Sequence, residues 1–380
     1  MTKKRTLVAI LPLIFIISIV AFPIIGLGKS RQEYAADFLK STQDEIWGAF
    51  SEYIYNEDDE TEMETPLSTR SALGGLYLLD ALSDLETTRL KTWLLERLNW
   101  GIDYNNLQNA SECIESLYYI DEIASIGTVR KNDFKEFSAN RSEYTVSGEL
   151  GYALDEDLEP TIFGTYFVVK GYYFLDYINE LEVTNITNFV VNSLEPTGGF
   201  KASPISTGSS LTATFFAIQT LKYLNTLNLL EPNKSQISQY INEFFVEDQI
   251  LESHYGGYTY IPEIEMQFAT VSATYDAVIA LSLLGTSVPI VEATAQWILR
   301  NQNQVDGGFS ENALEGVERR SSSITTYQSI RILSELGQLD LLSEQFGDYK
   351  LRWWIVLIVV IVILGGSIGG IIYYQRRIRL

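Results

Sequence analysis

Six aromatic residues, Phe50, Tyr104, Tyr152, Phe200, Tyr258 and Phe309, recur along the chain at intervals of 54, 48, 48, 58 and 51 residues. A period of this size is long enough for two helices and two loops, and it marks one supersecondary unit stacked repeatedly. The last three units share wording as well as spacing. Gly198-Gly199-Phe200 leads to Thr214-Phe215, Gly256-Gly257-Tyr258 to Thr274-Tyr275, and Gly307-Gly308-Phe309 to Thr326-Tyr327.

Each unit reads as an outer helix, a glycine-aromatic turn, a polar loop and an inner helix. In the sixth, Val291 to Gln302 carries apolar residues at Val291, Ala295, Ile298 and Leu299, the stripe of an amphipathic helix. Gly307 and Gly308 permit the reversal that follows, and Ile324 to Leu336 forms the second helix, stopped by Gly337. Inner helices start with small hydroxyl residues and continue as apolar runs such as Ala277 to Leu284. A helix apolar on all sides is buried on all sides. Six such hairpins closing on themselves predict an all-α fold, an (α/α)6 toroid with an inner and an outer ring. Units one to three are degenerate. Unit two is expected to pair Tyr104 with Leu117-Tyr118, and unit three Tyr152 with Thr165-Tyr166.

Two apolar stretches bracket the repeats. Thr6 to Gly28 follows Lys3-Lys4-Arg5 without a charge, so residues 1–30 read as a signal peptide or a signal anchor. Trp353 to Tyr374 is long enough to span a bilayer, with Trp353-Trp354 and Tyr373-Tyr374 as aromatic belts. Arg376, Arg377 and Arg379 follow, which predicts a cytoplasmic C-terminus for the segment 350–380 and an extracellular toroid over 31–349. Gly365, Gly366, Gly369 and Gly370 form a small-residue face on which this helix could pair with a second copy. Sequons at Asn109, Asn140, Asn185 and Asn233 fit an extracellular glycoprotein. Between residues 32 and 349 only 17 basic side chains stand against 49 acidic ones, a net charge of −32. Such a surface repels nucleic acid and anionic headgroups.

Trp297-Ile-Leu-Arg-Asn-Gln302-Asn-Gln-Val-Asp306-Gly-Gly-Phe309 resembles the repeat of the prenyltransferase β-subunit and squalene (terpenoid) cyclase superfamily. The resemblance implies the toroid. It also implies where chemistry should sit, and there the chain departs from the pattern. Protein prenyltransferases hold zinc with an Asp-x-Cys pair and a later His, whereas the corresponding stretch here reads Ala269-Thr-Val271. Cys113 and His254 are the only residues of their kinds, so no zinc site and no other cofactor is expected. Cys113 reads as a buried small side chain and His254 as a turn or surface residue. The Asp-x-Asp-Asp acid motif of terpenoid cyclases has only a partial echo in Asp155-Glu156-Asp157.

What remains is a cavity. Tyr118, Tyr166, Phe215, Tyr275 and Tyr327 are expected at one equivalent position of five successive inner helices. Such a ring either grips an apolar chain, a sugar or a peptide, or fills space between the helix layers. Arg319-Arg320 offers an anion contact or pairs with Glu315 or Glu318. The reading is a membrane-anchored extracellular binding module. The alternative is an enzyme acting in the cavity on a lipid-like or glycan substrate, through a carboxylate among Glu149, Asp155, Asp157, Glu263 and Glu265.

Overall fold

Twelve α-helices alternate between two roles in a computed structural model that describes residues 29–54, 64–104, 106–145, 147–155, 158–247, 253–262, 268–312 and 320–344. The outer helices are α1 (Arg31–Ser41), α3 (Thr87–Asp103), α5 (Gly127–Ala139), α7 (Val183–Asn192), α9 (Lys234–Asn242) and α11 (Val291–Arg300). The inner helices are α2 (Pro66–Leu78), α4 (Leu107–Tyr119), α6 (Ile162–Phe174), α8 (Leu211–Tyr223), α10 (Val271–Leu283) and α12 (Ser323–Glu335). Each inner helix packs on the next, and α12 packs back on α2, so residues 33–341 close into a ring. Hydrogen bonds seal the join between the last unit and the first. Ser323 N–H donates to the Glu52 carbonyl (2.7 Å) and Ser323 Oγ to the Ser51 carbonyl (3.0 Å). A second unit comprises residues 1–32 and 342–380, of which 29–32 and 342–344 are described. Both expected membrane segments lie outside the described residues. Among the described residues no helix is long and apolar enough to cross a membrane.

All six inner helices have 13 residues, and one local device sets where five of them begin. Thr69, Thr165, Thr214, Thr274 and Thr326 occupy the fourth position. Their hydroxyls accept the backbone N–H of Phe50, Tyr152, Phe200, Tyr258 and Phe309, at 2.9–3.1 Å. Those aromatic rings are buried. The repeated threonine thus fastens the turn to the inner helix and supplies a partner to a buried N–H that would otherwise have none. The capping residues Thr65, Asn106, Thr161, Ser210, Thr270 and Ser322 accept further N–H groups of the first turn. At the other end all six stop at a residue with positive φ: Asp80, Asp121, Asp176, Asn225, Gly285 and Gly337.

Unit two departs from the expected pattern. Tyr104 is not a buried plug like its counterparts; it caps the end of α3 with 69 % of its surface exposed and stacks on Trp100. Helices α3 and α4 are joined by residues 104–106 alone, so this unit lacks the polar loop and has no gap for an aromatic plug. The sixth outer helix also ends two residues early, with Asn301 as its cap, and Gly307 turns the chain later at φ +85°. Short antiparallel pairs join β1 (Ser142–Tyr144) to β2 (Leu150–Tyr152) and β3 (Phe200–Lys201) to β4 (Ser209–Ser210) within the loops.

Candidate functional site

The inner helices enclose a cavity of about 470 Å³. Tyr166, Phe215, Tyr275 and Tyr327 line it from the fifth position of α6, α8, α10 and α12, the position that follows the fastening threonine. The Thr-aromatic pair is therefore one signal with two jobs, the first residue facing the turn and the second the axis. Their rings touch in sequence around the wall, with Phe215 to Tyr275 at 5.5 Å and Tyr275 to Tyr327 at 6.0 Å between centroids. Phe216 bridges Tyr166 (4.6 Å) to Phe215 (5.0 Å). Tyr118 also lines the cavity, but not from the equivalent position. It is the twelfth residue of α4, two turns further along, because counting from Tyr104 displaced the register of unit two. Ser111 holds the fifth place in α4, and Arg70 holds it in α2.

Against this aromatic wall stands a charge network for which no local motif in the sequence gives a sign. Lys170 Nζ lies 3.0 Å from Glu112 Oε2 and 2.9 Å from Glu115 Oε2. Arg70 Nε lies 2.8 Å from Glu112 Oε2. The Tyr119 hydroxyl donates to Glu115 Oε1 at 2.9 Å. The Arg70 guanidinium also faces the Tyr327 ring at 4.9 Å. Two cations and two carboxylates balance, which is the condition for holding them away from water. Burial by itself disfavours charge on Glu115, yet Lys170 and Arg70 beside it hold the carboxyl below its usual range. Burial opposes the Lys170 charge too, and Glu112 and Glu115 overcome it, keeping the ammonium protonated. The available signal was a lone lysine in the apolar run Tyr166-Phe-Val-Val-Lys170-Gly-Tyr172.

Asp276 lines the cavity next to Tyr275 and is buried. Its carboxylate accepts the Tyr260 hydroxyl at 3.1 Å. Burial, reinforced by Glu311, pushes its carboxyl up to about 7, past the opposing hydrogen bonds from Thr212 and Tyr260. Glu311 accepts the Ser272 N–H at 3.0 Å and is itself raised by burial. The folded chain keeps the Asp276 proton to about pH 7, whereas an unfolded chain releases it near 3.8. The folded state binds more protons between these values, so stability falls as pH rises through them and levels off above. Asp276→Asn should flatten that slope and raise stability at pH 8, by a few kcal/mol at the order-of-magnitude level. Urea unfolding at pH 5 and pH 8 measures it, and equal slopes in both proteins would refute the assignment.

The other sequence candidates separate. Asp155 is exposed and does not line the cavity, while Asp157, Glu263 and Glu265 lie outside the described residues. Glu149 faces a different surface groove, bonded to Thr145 and Asn192. His254 sits in its turn as expected but is buried, edge-on to Phe268 at 5.3 Å, and burial lowers its pKa. Cys113 is buried, which pushes its thiol up and removes it from thiolate chemistry. Arg320 does not wait for an anion; its guanidinium lies 4.0 Å from the Tyr53 ring centroid. Arg319, Glu315 and Glu318 lie outside the described residues. Among the described residues no three His, Cys, Asp or Glu side chains are grouped to hold a metal ion.

A closed ring of helical hairpins around an aromatic cavity defines a class of protein, and the sequence agrees with it. Residues 149–357 match the prenyltransferase alpha-alpha toroid domain, and the chain belongs to that family. Among solved structures it is similar to Candida albicans protein geranylgeranyltransferase-I complexed with GGPP, at 15% identity and a TM-score of 0.53. That match covers 74% of this chain and 87% of the other. It is also similar to the type II terpene cyclase MstE from Scytonema, at 10% identity and a TM-score of 0.50, over 82% of this chain and 97% of the other. At such identities the likeness shows the fold alone. A search of curated proteins finds no match.

Proposed function

We propose that this chain is a membrane-anchored, extracellular toroid that binds a lipid-like ligand in its central cavity. The observation that carries the reading is the aromatic wall that α6, α8, α10 and α12 build along one side of a cavity of about 470 Å³, within the range of small-molecule sites. Ser71 adds to it, since this residue lines the same cavity and its buried hydroxyl has no partner among the described residues. The likeness to a prenyltransferase complexed with GGPP points to an isoprenoid chain as the ligand class. The anchor is the run Trp353 to Tyr374, and Arg376, Arg377 and Arg379 orient it. Gly365, Gly366, Gly369 and Gly370 offer the face for pairing two anchors. Of the four sequons, Asn140-Arg-Ser142 has both its asparagine and its serine exposed, whereas Ser111 and Thr187 are buried.

Native mass spectrometry of the full chain with all-trans-retinol, an uncharged isoprenoid alcohol, tests the cavity. One bound retinol per chain is expected, and Ile279→Trp, which fills the cavity wall from α10, should abolish it while helical content by circular dichroism is retained. No binding to the parent chain, or equal binding to the variant, would sink the reading.

A second reading rests on a different observation. Asp276 offers an acid poised near neutral pH inside an aromatic chamber, which suits proton transfer to a bound substrate. The chain would then be an enzyme acting on the same lipid-like ligand or on a glycan. Turnover of a retained ligand that Asp276→Asn abolishes without loss of binding would support it; turnover unaffected by the substitution would exclude this acid.

A further inference from the structure

Inner helices α2, α4 and α6 end alike, and unlike the other three. Tyr77-Leu-Leu-Asp80, Tyr118-Tyr-Ile-Asp121 and Tyr173-Phe-Leu-Asp176 each place a tyrosine at the twelfth helical position and an aspartate at the positive-φ residue beyond the end. The tyrosines are 54 %, 51 % and 44 % exposed and also line the cavity, so the cavity reaches solvent at this end. With Tyr119 and Phe174 they form one belt of rings. Centroids step from Tyr77 to Tyr119 (5.5 Å), Tyr118 (6.2 Å), Phe174 (5.0 Å) and Tyr173 (5.4 Å).

The aspartates beside the belt are not what the turns require. A positive-φ stop is met in the same ring by Asn225, Gly285 and Gly337, without charge. Aspartate is accepted in the left-handed region much as Asn225 is, but it also puts a negative charge at the negative end of a helix dipole. That charge is unfavourable, and the chain accepts it three times on adjacent helices, each time three residues after an exposed tyrosine. Local rules broken in a consistent pattern mark function before accident. Exposed aromatic faces, carboxylates and three converging helix C-termini are complementary to one kind of occupant, an extended cation carrier. On α8 the twelfth place is taken by Lys222, where the acidic pattern stops.

We propose that this rim is a docking surface for a cationic polypeptide segment, with lysine or arginine side chains over the Tyr77, Tyr118 and Tyr173 rings and Asp80, Asp121 and Asp176 as counter-charges. The surface does not depend on what fills the cavity below it. A chain that fails to bind retinol can still bind the peptide, and the reverse.

The test is fluorescence anisotropy of a labelled hexalysine peptide titrated with the full chain at low salt. Saturable binding is expected. The triple variant Asp80→Asn, Asp121→Asn, Asp176→Asn should weaken it roughly tenfold or more, as the loss of three exposed charge contacts implies. Asparagine is well accepted at positive φ, so this variant should melt no lower than the parent. A second variant, Tyr77→Leu with Tyr118→Leu and Tyr173→Leu, should weaken binding while leaving the charge unchanged. The control removes the same charge from exposed positions on outer helices: Glu96→Gln, Glu136→Gln and Glu292→Gln. Full retention of binding in that control supports the rim. An equal loss in the control, no saturable binding, or equal capture of a labelled hexaglutamate peptide overturns the proposal.

Discussion

Replacing Lys170 by methionine should lower the stability of the toroid by about 3–5 kcal/mol, the cost of leaving a buried charge without its partner. Lys170 is 1 % exposed and is the shared counter-ion of Glu112 and Glu115, which are also buried. Without it, two carboxylates face Arg70 alone. Arg70 contacts Glu112 closely, but its Nε stands 3.7 Å from Glu115 Oε2. Methionine keeps the length and apolar stem of lysine, so the loss reports charge and not a cavity. Adding Glu115→Gln to the variant restores a one-to-one balance and should recover part of the loss, a coupling that a double-mutant cycle by urea unfolding reads directly. A loss under about 1 kcal/mol for Lys170→Met would mean that water or a rearranged Arg70 already satisfies the carboxylates.

Gly256→Ala should cost about as much, roughly 3–5 kcal/mol, for a wholly different reason. Gly256 sits at φ +97°, where a side chain is strained. A Cβ there would meet the carbonyl carbon and oxygen of Ala293, both at 2.6 Å. Those are backbone atoms of outer helix α11, which cannot yield without moving the helix. Gly198 repeats the arrangement one unit earlier, with φ +97° and the Gln236 carbonyl of α9 against it. The first glycine of each pair is thus the point where a turn presses on the next outer helix. Gly208→Ala provides the contrast, since a Cβ there meets nothing within 4 Å, and it should change stability by less than about 0.5 kcal/mol. Thermal melts of both variants decide it; equal melting temperatures would contradict the packing argument.

Both predictions concern features that differ in how far they could be read in advance. The glycine pairs, the hydroxyl residues opening the inner helices and the Thr-aromatic dipeptides are local devices, and a local device leaves its mark in local wording. They predicted the toroid, and in units three to six they also picked the wall of the cavity at Tyr166, Phe215, Tyr275 and Tyr327. Unit two failed for the same reason. It joins α3 to α4 through residues 104–106 without the loop, so Tyr104 is an exposed helix cap where the spacing predicts a buried plug, and Tyr118 falls in a different register. Tyr118 belongs to the aromatic rim, between Tyr119 and Phe174.

The charges behave differently. Asp276 stands inside Thr274-Tyr275-Asp276, a string that carries no local mark of a buried acid. Nothing in a linear string says that one Asp among the 49 acidic side chains lines the central cavity and has its pKa raised to about 7 by burial. Nor does it say that Lys170 of α6 meets Glu112 and Glu115 of α4, or that Arg70 of α2 completes the set.

By itself, then, the sequence of this chain determined the repeat, the alternation of outer and inner helices and the aromatic lining, because period and capping act within a few residues of chain. Which ionisable groups lie together, which are shut away from water and which rim is left aromatic and acidic were decided only when six hairpins closed on one another. Those properties belong to burial and to distance across the ring, and neither exists until the ring does.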